Sequence, residues 1–249
     1  MNNPSKLRMT TLLMLLLAMM ISGCGAPRDK SPAAEPQVFQ GARPQSRNEP
    51  ATRVVMILMD LSGSFTEKMA NDGEAYQFAL NVIDQYFRSQ SGTNDNIVLA
   101  QISGTRRSLL WEGSPRQLRE TFPSADSFRE FLLSNADPRG SLVHEGMRNA
   151  IDYLTHHSVY GTSNAKTVTL VLSDMDDTSF GDSEERLNKS LVANAHNQGA
   201  IGIYFCNQLT VEDWKQRLAS AGYINYVVES EIVGKPQLPK FEVFPRTVE

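Results

Sequence analysis

The sequence has little of what many specialised sites require. Only two cysteines, Cys24 and Cys206, occur in 249 residues, too few for a disulfide framework. Four histidines are scattered, and none falls in a zinc-ligand pattern. Lys and Arg number 24 against 28 Asp and Glu, a formal charge of −4. That excludes a basic surface made for nucleic acid, and no acidic block marks a solvating tail. No glycine loop suited to phosphate and no serine-hydrolase elbow is present. The longest apolar run, Leu12 to Ile21, is about half of the roughly 20 residues a spanning helix needs. What is present is ordinary: 41% hydrophobic and 21% charged residues. That excludes a wholly disordered chain and suits one domain of about 200 residues with appendages.

The apolar run follows Lys6 and Arg8 and ends in Ile21-Ser22-Gly23-Cys24. A basic start, a short apolar core and small residues before a cut form a signal peptide. With Cys24 in that place, the segment resembles the lipobox of bacterial lipoproteins. The resemblance implies a signal peptide over 1–23 and a mature chain beginning at a lipidated Cys24. Several acyl chains on one residue give stable anchoring. Gly25, and not Asp, follows the cysteine, which in enteric-type sorting favours the outer over the inner membrane. The expectation is a periplasm-facing, lipid-anchored protein of the bacterial cell envelope. Loss of Lys6 and Arg8 makes the remainder more acidic, so the lipid and not charge must hold it to the membrane.

Residues 24–50 carry five of the twelve prolines, at 27, 32, 36, 44 and 50, among Ala, Gln, Ser, Arg and Glu. Such a stretch cannot bury a core and reads as a tether. At about 3.1 Å per residue it reaches roughly 80 Å. The expected domain covers 51–230, and a proline-bearing C-terminal extension covers 231–249.

Within the domain, apolar runs alternate with amphipathic stretches. Val54 to Met59, Asn96 to Ile102, Thr167 to Ser173, Ala200 to Phe205 and Tyr223 to Val228 read as strands, and Ser108 to Trp111 as a short edge strand. Tyr76, Ala79, Leu80, Ile83 and Phe87 share one helix face, as do Val143, Met147, Ala150, Ile151 and Leu154. Pro115 to Thr121 and Ser124 to Ser134 read as short helices. Glu184 to Gln198 is a further helix, ended by Gly199 as a C-terminal glycine. Thr210 and Asp213 suggest a capping box opening another. Strand–helix alternation predicts an α/β fold, a doubly wound, mainly parallel sheet with helices on both faces. Cys206 ends an apolar strand and reads as a buried, inert thiol.

In such a sheet, ligands bind at the carboxyl ends of strands. Asp60-Leu61-Ser62-Gly63-Ser64 follows the first strand, Gly140-Ser141 precedes a helix, and Ser173-Asp174 ends a later strand. Asp60, Ser62, Ser64, Ser141 and Asp174 offer only oxygen donors. That set suits Mg²⁺, with Mn²⁺ or Ca²⁺ as alternatives, and argues against zinc. The first segment resembles the D-x-S-x-S signature of von Willebrand factor type A domains. Ser141 stands where that family has threonine, and Asp174 where it has its second aspartate. The resemblance covers about Arg53 to Glu229. It implies a metal-ion-dependent adhesion site in which Ser62 and Ser64 bind the metal through their hydroxyls. Asp60 and Asp174 act directly or through water, and a carboxylate from a partner protein completes the site. It implies binding and no catalysis. Serine at 141 keeps the hydroxyl and loses the methyl group that fixes a threonine rotamer.

Asp174-Met175-Asp176-Asp177-Thr178 also resembles the D-x-D-x-T motif of haloacid-dehalogenase-like phosphatases. There one aspartate attacks phosphorus and the next is the acid–base group. That family places the motif on its first core strand with its machinery downstream, whereas here little chain follows. A Mg²⁺-dependent phosphatase using Asp174 and Asp176, and a metal-free scaffold, are the alternatives to adhesion. Asp176, Asp177 and Asp182 otherwise read as an acidic loop beside the site, His156-His157 as a surface pair, and His144 as a possible neighbour of Ser141.

Overall fold

The structure is a computed structural model. It describes residues 51, 53–63, 65–70, 73–88, 95–102, 107–137, 140–156, 160, 165–230 and 237–238. Contacts divide the chain into Met1–Val38 and Phe39–Glu249, and every described residue belongs to the second unit. The signal peptide, Cys24, the tether and most of the C-terminal extension therefore lie outside the described residues, as do Ser64 and His157.

Among the described residues six strands form one sheet: β1 (Arg53–Asp60), β2 (Asp95–Ile102), β3 (Leu109–Gly113), β4 (Lys166–Leu172), β5 (Ala200–Tyr204) and β6 (Tyr226–Glu229). Their order is β3-β2-β1-β4-β5-β6. All pairs are parallel except the antiparallel edge pair of β2 and β3. The fold is thus α/β, with a doubly wound, mainly parallel sheet. β1 is buried along almost its whole length, because helices cover both faces.

Among the described residues seven helices accompany the sheet: α1 (Thr66–Met69), α2 (Glu74–Arg88), α3 (Pro115–Thr121), α4 (Ala125–Asn135), α5 (Val143–His156), α6 (Ser183–His196) and α7 (Val211–Ser220). Alternate residues of β1 serve opposite cores. Val54, Met56 and Leu58 pack with Met147, Ile151, Leu187, Leu191 and Leu218 of α5, α6 and α7. Val55, Ile57 and Met59 pack with Tyr76, Ala79, Phe128 and Leu132 of α2 and α4. Among the described residues no helix is long and apolar enough to cross a membrane.

The sequence boundaries hold closely for most elements, with local corrections. The left-handed residue after α6 is Gln198, at φ 59°, and not Gly199. Gln198 N–H donates to Ala195 O and Gly199 N–H to Asn194 O, both at 3.0 Å. The glycine therefore sits one place beyond the left-handed turn. It is needed for space, since a Cβ there would lie 2.0 Å from Asn194 Oδ1. Thr210 forms no capping box. Its φ of −107° and ψ of −2° are not the extended values a capping residue needs, and its hydroxyl turns back to Asn207 O at 3.1 Å. The last strand begins at Tyr226; Tyr223 lies before it, buried, with its hydroxyl donating to Asn194 Oδ1. Helix α1 was not legible in the sequence, being only four residues long.

Candidate metal-binding site at the sheet's switch point

β1 has β2 on one side and β4 on the other. Chain order reverses there, and in doubly wound sheets such a reversal leaves a crevice at the carboxyl ends of the strands. Asp60 closes β1 at that end and is fully buried, with 0% exposure. Its Oδ1 accepts the Ser62 N–H at 2.9 Å. Its Oδ2 accepts two hydroxyls, Ser141 Oγ at 2.9 Å and Ser173 Oγ at 2.7 Å. One carboxylate thus ties together three segments of chain.

Each segment is fixed independently. Ser62 O accepts Thr66 N–H at 3.0 Å and Thr66 Oγ1 at 2.7 Å, which starts α1 and sets the loop after β1. Asp137 N–H donates to Leu61 O, so the chain after α4 runs beside that loop. Ser141 O accepts both the backbone N–H and the hydroxyl of Thr178, at 2.9 and 2.8 Å. Asp177 accepts the His144 N–H at the start of α5 and the hydroxyl of Ser179. Asp177 Oδ2 also lies 2.8 Å from His144 Nδ1. Burial holds the His144 pKa below its ordinary value, although Asp177 opposes the shift. His144 therefore latches the loop after β4 onto α5.

Asp174 follows β4 and is partly exposed, whereas Ser62 and Ser141 are buried. Asp174 Oδ1 accepts Asp176 N–H, and Asp174 O accepts Asn207 N–H. Asp176 is exposed, and its Oδ1 accepts from Asn207 Nδ2 at 3.1 Å. Cys206 is buried, and burial pushes its thiol pKa up. Among the described residues it is a free cysteine, and it is buried as the sequence predicts.

Asp60, Ser62, Ser141 and Asp174 thus converge on one end of the sheet, and Ser64 lies outside the described residues. Ser173 is the residue of this cluster that sequence reasoning missed. Its hydroxyl also accepts the N–H of Met175 at 2.9 Å, steadying a buried residue held at φ 64°. Among the described residues no Lys or Arg pairs with Asp60. A buried carboxylate normally has a cationic partner or a metal. Hydroxyls and carboxylates without sulfur or imidazole are hard donors, which fit a hard divalent cation. Among the described residues there is no group of three or more His, Cys, Asp and Glu suited to a metal.

No family model matches the chain, and no curated protein does. Solved structures of similar shape include the N-terminal domain of TFIIH p34, with 10% identity over 73% of this chain and 92% of that one, TM-score 0.46. Another is the pilus adhesin SpaC from Lactobacillus rhamnosus GG, with 12% identity over 74% of this chain and 28% of that one, TM-score 0.46. A third is proximal thread matrix protein 1 from the mussel byssus, with 12% identity over 74% of this chain and 44% of that one, TM-score 0.43. At such values these likenesses bear on neither the site nor its function.

Proposed function

We propose that this chain is a lipid-anchored envelope protein of the von Willebrand factor A type, which binds a protein partner through a divalent cation. Mg²⁺ is the proposed ion. Asp60, Ser62, Ser64, Ser141 and Asp174 would hold it, and Cys24 would carry the lipid. The observation that carries the reading is the state of Asp60: fully buried, bonded to three neutral donors, and without a Lys or Arg partner among the described residues. Such a charge is stabilised by a cation brought in from solvent.

The residues divide the work. Asp60 supplies negative charge and aims hydroxyls, because both its oxygens already accept hydrogen bonds. Ser141 spends its proton on Asp60, which leaves its lone pairs for a cation. Asp174, partly exposed, offers a carboxylate at the mouth. The cation, once bound, supplies a Lewis-acidic position for an oxygen of the partner. Asp60 is committed to three hydrogen bonds, and Asp174 would supply the second carboxylate of the set. An oxygen of the partner, a carboxylate by the von Willebrand factor A resemblance, would complete the coordination.

The test is calorimetric titration of Mg²⁺ into the full chain, solubilised in detergent and stripped with EDTA. Asp60→Ala and Asp174→Ala abolish the binding heat, and Asp176→Ala retains it. Loss in Asp176→Ala, together with Mg²⁺-dependent hydrolysis of p-nitrophenyl phosphate, would instead establish the phosphatase alternative. Membrane fractionation of a Cys24→Ser variant tests the anchor: release from the outer-membrane fraction is the expected result.

A further inference from the structure

Two large apolar side chains stand almost fully in solvent on the loops that follow β4 and β5, at the carboxyl ends of the strands. Phe180 and Leu209 are each 87% exposed. Ile224, also exposed, precedes β6 at the other end of the sheet. Single exposed hydrophobics are common on protein surfaces and by themselves mean little. These two differ in where they are held.

Leu209 N–H donates to Asn207 Oδ1 at 3.1 Å. The same Asn207 donates its side-chain N–H to Asp176 and its backbone N–H to Asp174 O. One residue therefore couples Leu209 to the loop that carries Asp174. Phe180 lies further along that loop, three residues before α6. The preceding residues are pinned by Thr178 to Ser141, and by Ser179 through Asp177 to His144. Two loops hydrogen-bonded to residues of the site thus each carry one exposed apolar residue.

Charge completes the pattern. Asp182 pairs with Arg186 and Glu184 with Arg217. Asp176 is exposed, and among the described residues no Lys or Arg pairs with it. From this arrangement we infer that Phe180 and Leu209 are apolar anchors for a peptide segment of the partner, and that they determine its specificity. The segment carries an acidic side chain for the cation, apolar side chains flanking it, and a basic side chain opposite Asp176. This rests on the proposed adhesion reading and adds to it the sequence character of the partner.

The test uses the full chain in phosphatidylcholine nanodiscs, panned with phage-displayed random dodecapeptides in Mg²⁺. Bound phage are eluted first with EDTA and then with acid. The EDTA eluate is expected to be enriched in peptides with Asp or Glu flanked by apolar residues and accompanied by Lys or Arg. Synthetic copies should lose about tenfold in affinity for Phe180→Ser and for Leu209→Ser, as burial of a large apolar group implies. Val192→Ser, at an exposed position on α6, should leave affinity unchanged. Asp176→Lys should weaken binding of the same peptides. EDTA-eluted peptides that bind both serine variants like wild type overturn the anchor inference and leave the metal reading standing. Enriched peptides that appear only in the acid eluate and bind Asp60→Ala normally overturn the metal reading instead. A library with no enriched sequence overturns the inference.

Discussion

Asp60→Asn separates a structural carboxylate from one that waits for a cation. The substitution keeps shape and removes charge. The new carbonyl still accepts Ser62 N–H, and the amide faces Ser141 and Ser173, whose hydroxyls can turn to accept from it. Three bonds to a charged acceptor become neutral ones, a loss of about 1 kcal/mol each. Against that stands the cost of burying an uncompensated carboxylate, which is several kcal/mol. Without metal the two nearly cancel, so the Asp60→Asn protein should lie within about 1 kcal/mol of wild type. With Mg²⁺ at about 100 times its Kd, wild type gains about 2.7 kcal/mol and the variant gains none. For a domain of this size that is a difference of about 5–11 °C in melting temperature. Intrinsic tryptophan fluorescence in EDTA and in Mg²⁺ measures both. A variant that has already lost more than about 3 kcal/mol in EDTA refutes the reasoning, because the carboxylate would then be a structural hub. So does an equal response of both proteins to Mg²⁺.

Other consequences are local. Gly199→Ala drives a Cβ into Asn194, which must release the buried Tyr223 hydroxyl; the expected loss is about 2–5 kcal/mol. Adding Asn194→Ala should recover the steric part, and urea unfolding of the double-mutant cycle measures the coupling. His144 has a folded pKa below its unfolded value, so the fold favours the neutral ring. Its contribution is complete above about pH 6.5 and is lost as pH falls through that value towards the folded pKa. His144→Gln should flatten that acid-side loss in melting curves taken between about pH 7.5 and 5. Ser114 and Gln117 form a reciprocal capping box on α3, and Ser114→Ala should cost about 1 kcal/mol in urea denaturation.

Most of the fold was legible because its signals are local. β1 and β4 are buried on both faces, so β1 appears as an unbroken apolar run and β4 as a mainly apolar one that also buries Thr167 and Thr169. The apolar stripe of α5 falls at helical spacing because that helix buries one side. In α2 the buried face is turned from the stripe read in the sequence: Ala75, Phe78, Val82 and Tyr86 join Tyr76 and Ala79 inside, and Leu80, Ile83 and Phe87 are only half-buried at its edge. The misreadings at Gly199 and Thr210 arose where a residue's usual role was displaced by a contact from elsewhere. Gly199 answers to Asn194 across one turn, and Thr210 to the turn at Asn207. The candidate site was legible where its residues end strands or begin helices, as Asp60, Ser141 and Asp174 do. Asn207 was not, because its importance lies in bridging two loops that only sheet formation brings together.

Ser173 shows the limit most clearly and gives a direct test of it. Met59 pairs with Leu172 in the β1–β4 register, so the next residues along, Asp60 and Ser173, come side by side. Strand register is a tertiary fact, and nothing local in Ser173 marks it as a partner of Asp60. Its hydroxyl donates to Asp60 and accepts from Met175 N–H, both in the interior. Ser173→Ala therefore removes a donor to a charge and leaves a buried N–H unsatisfied, a loss of about 2–4 kcal/mol. Ser141→Ala removes only one donor from the same oxygen, and its residue is the one proposed to face the cation. In EDTA, Ser173→Ala should therefore melt well below Ser141→Ala, while in Mg²⁺ Ser141→Ala should show the smaller metal-induced rise. The reverse order would mean that Ser141 braces the fold and Ser173 meets the ion, and the division of roles drawn from the hydrogen-bond directions would be wrong.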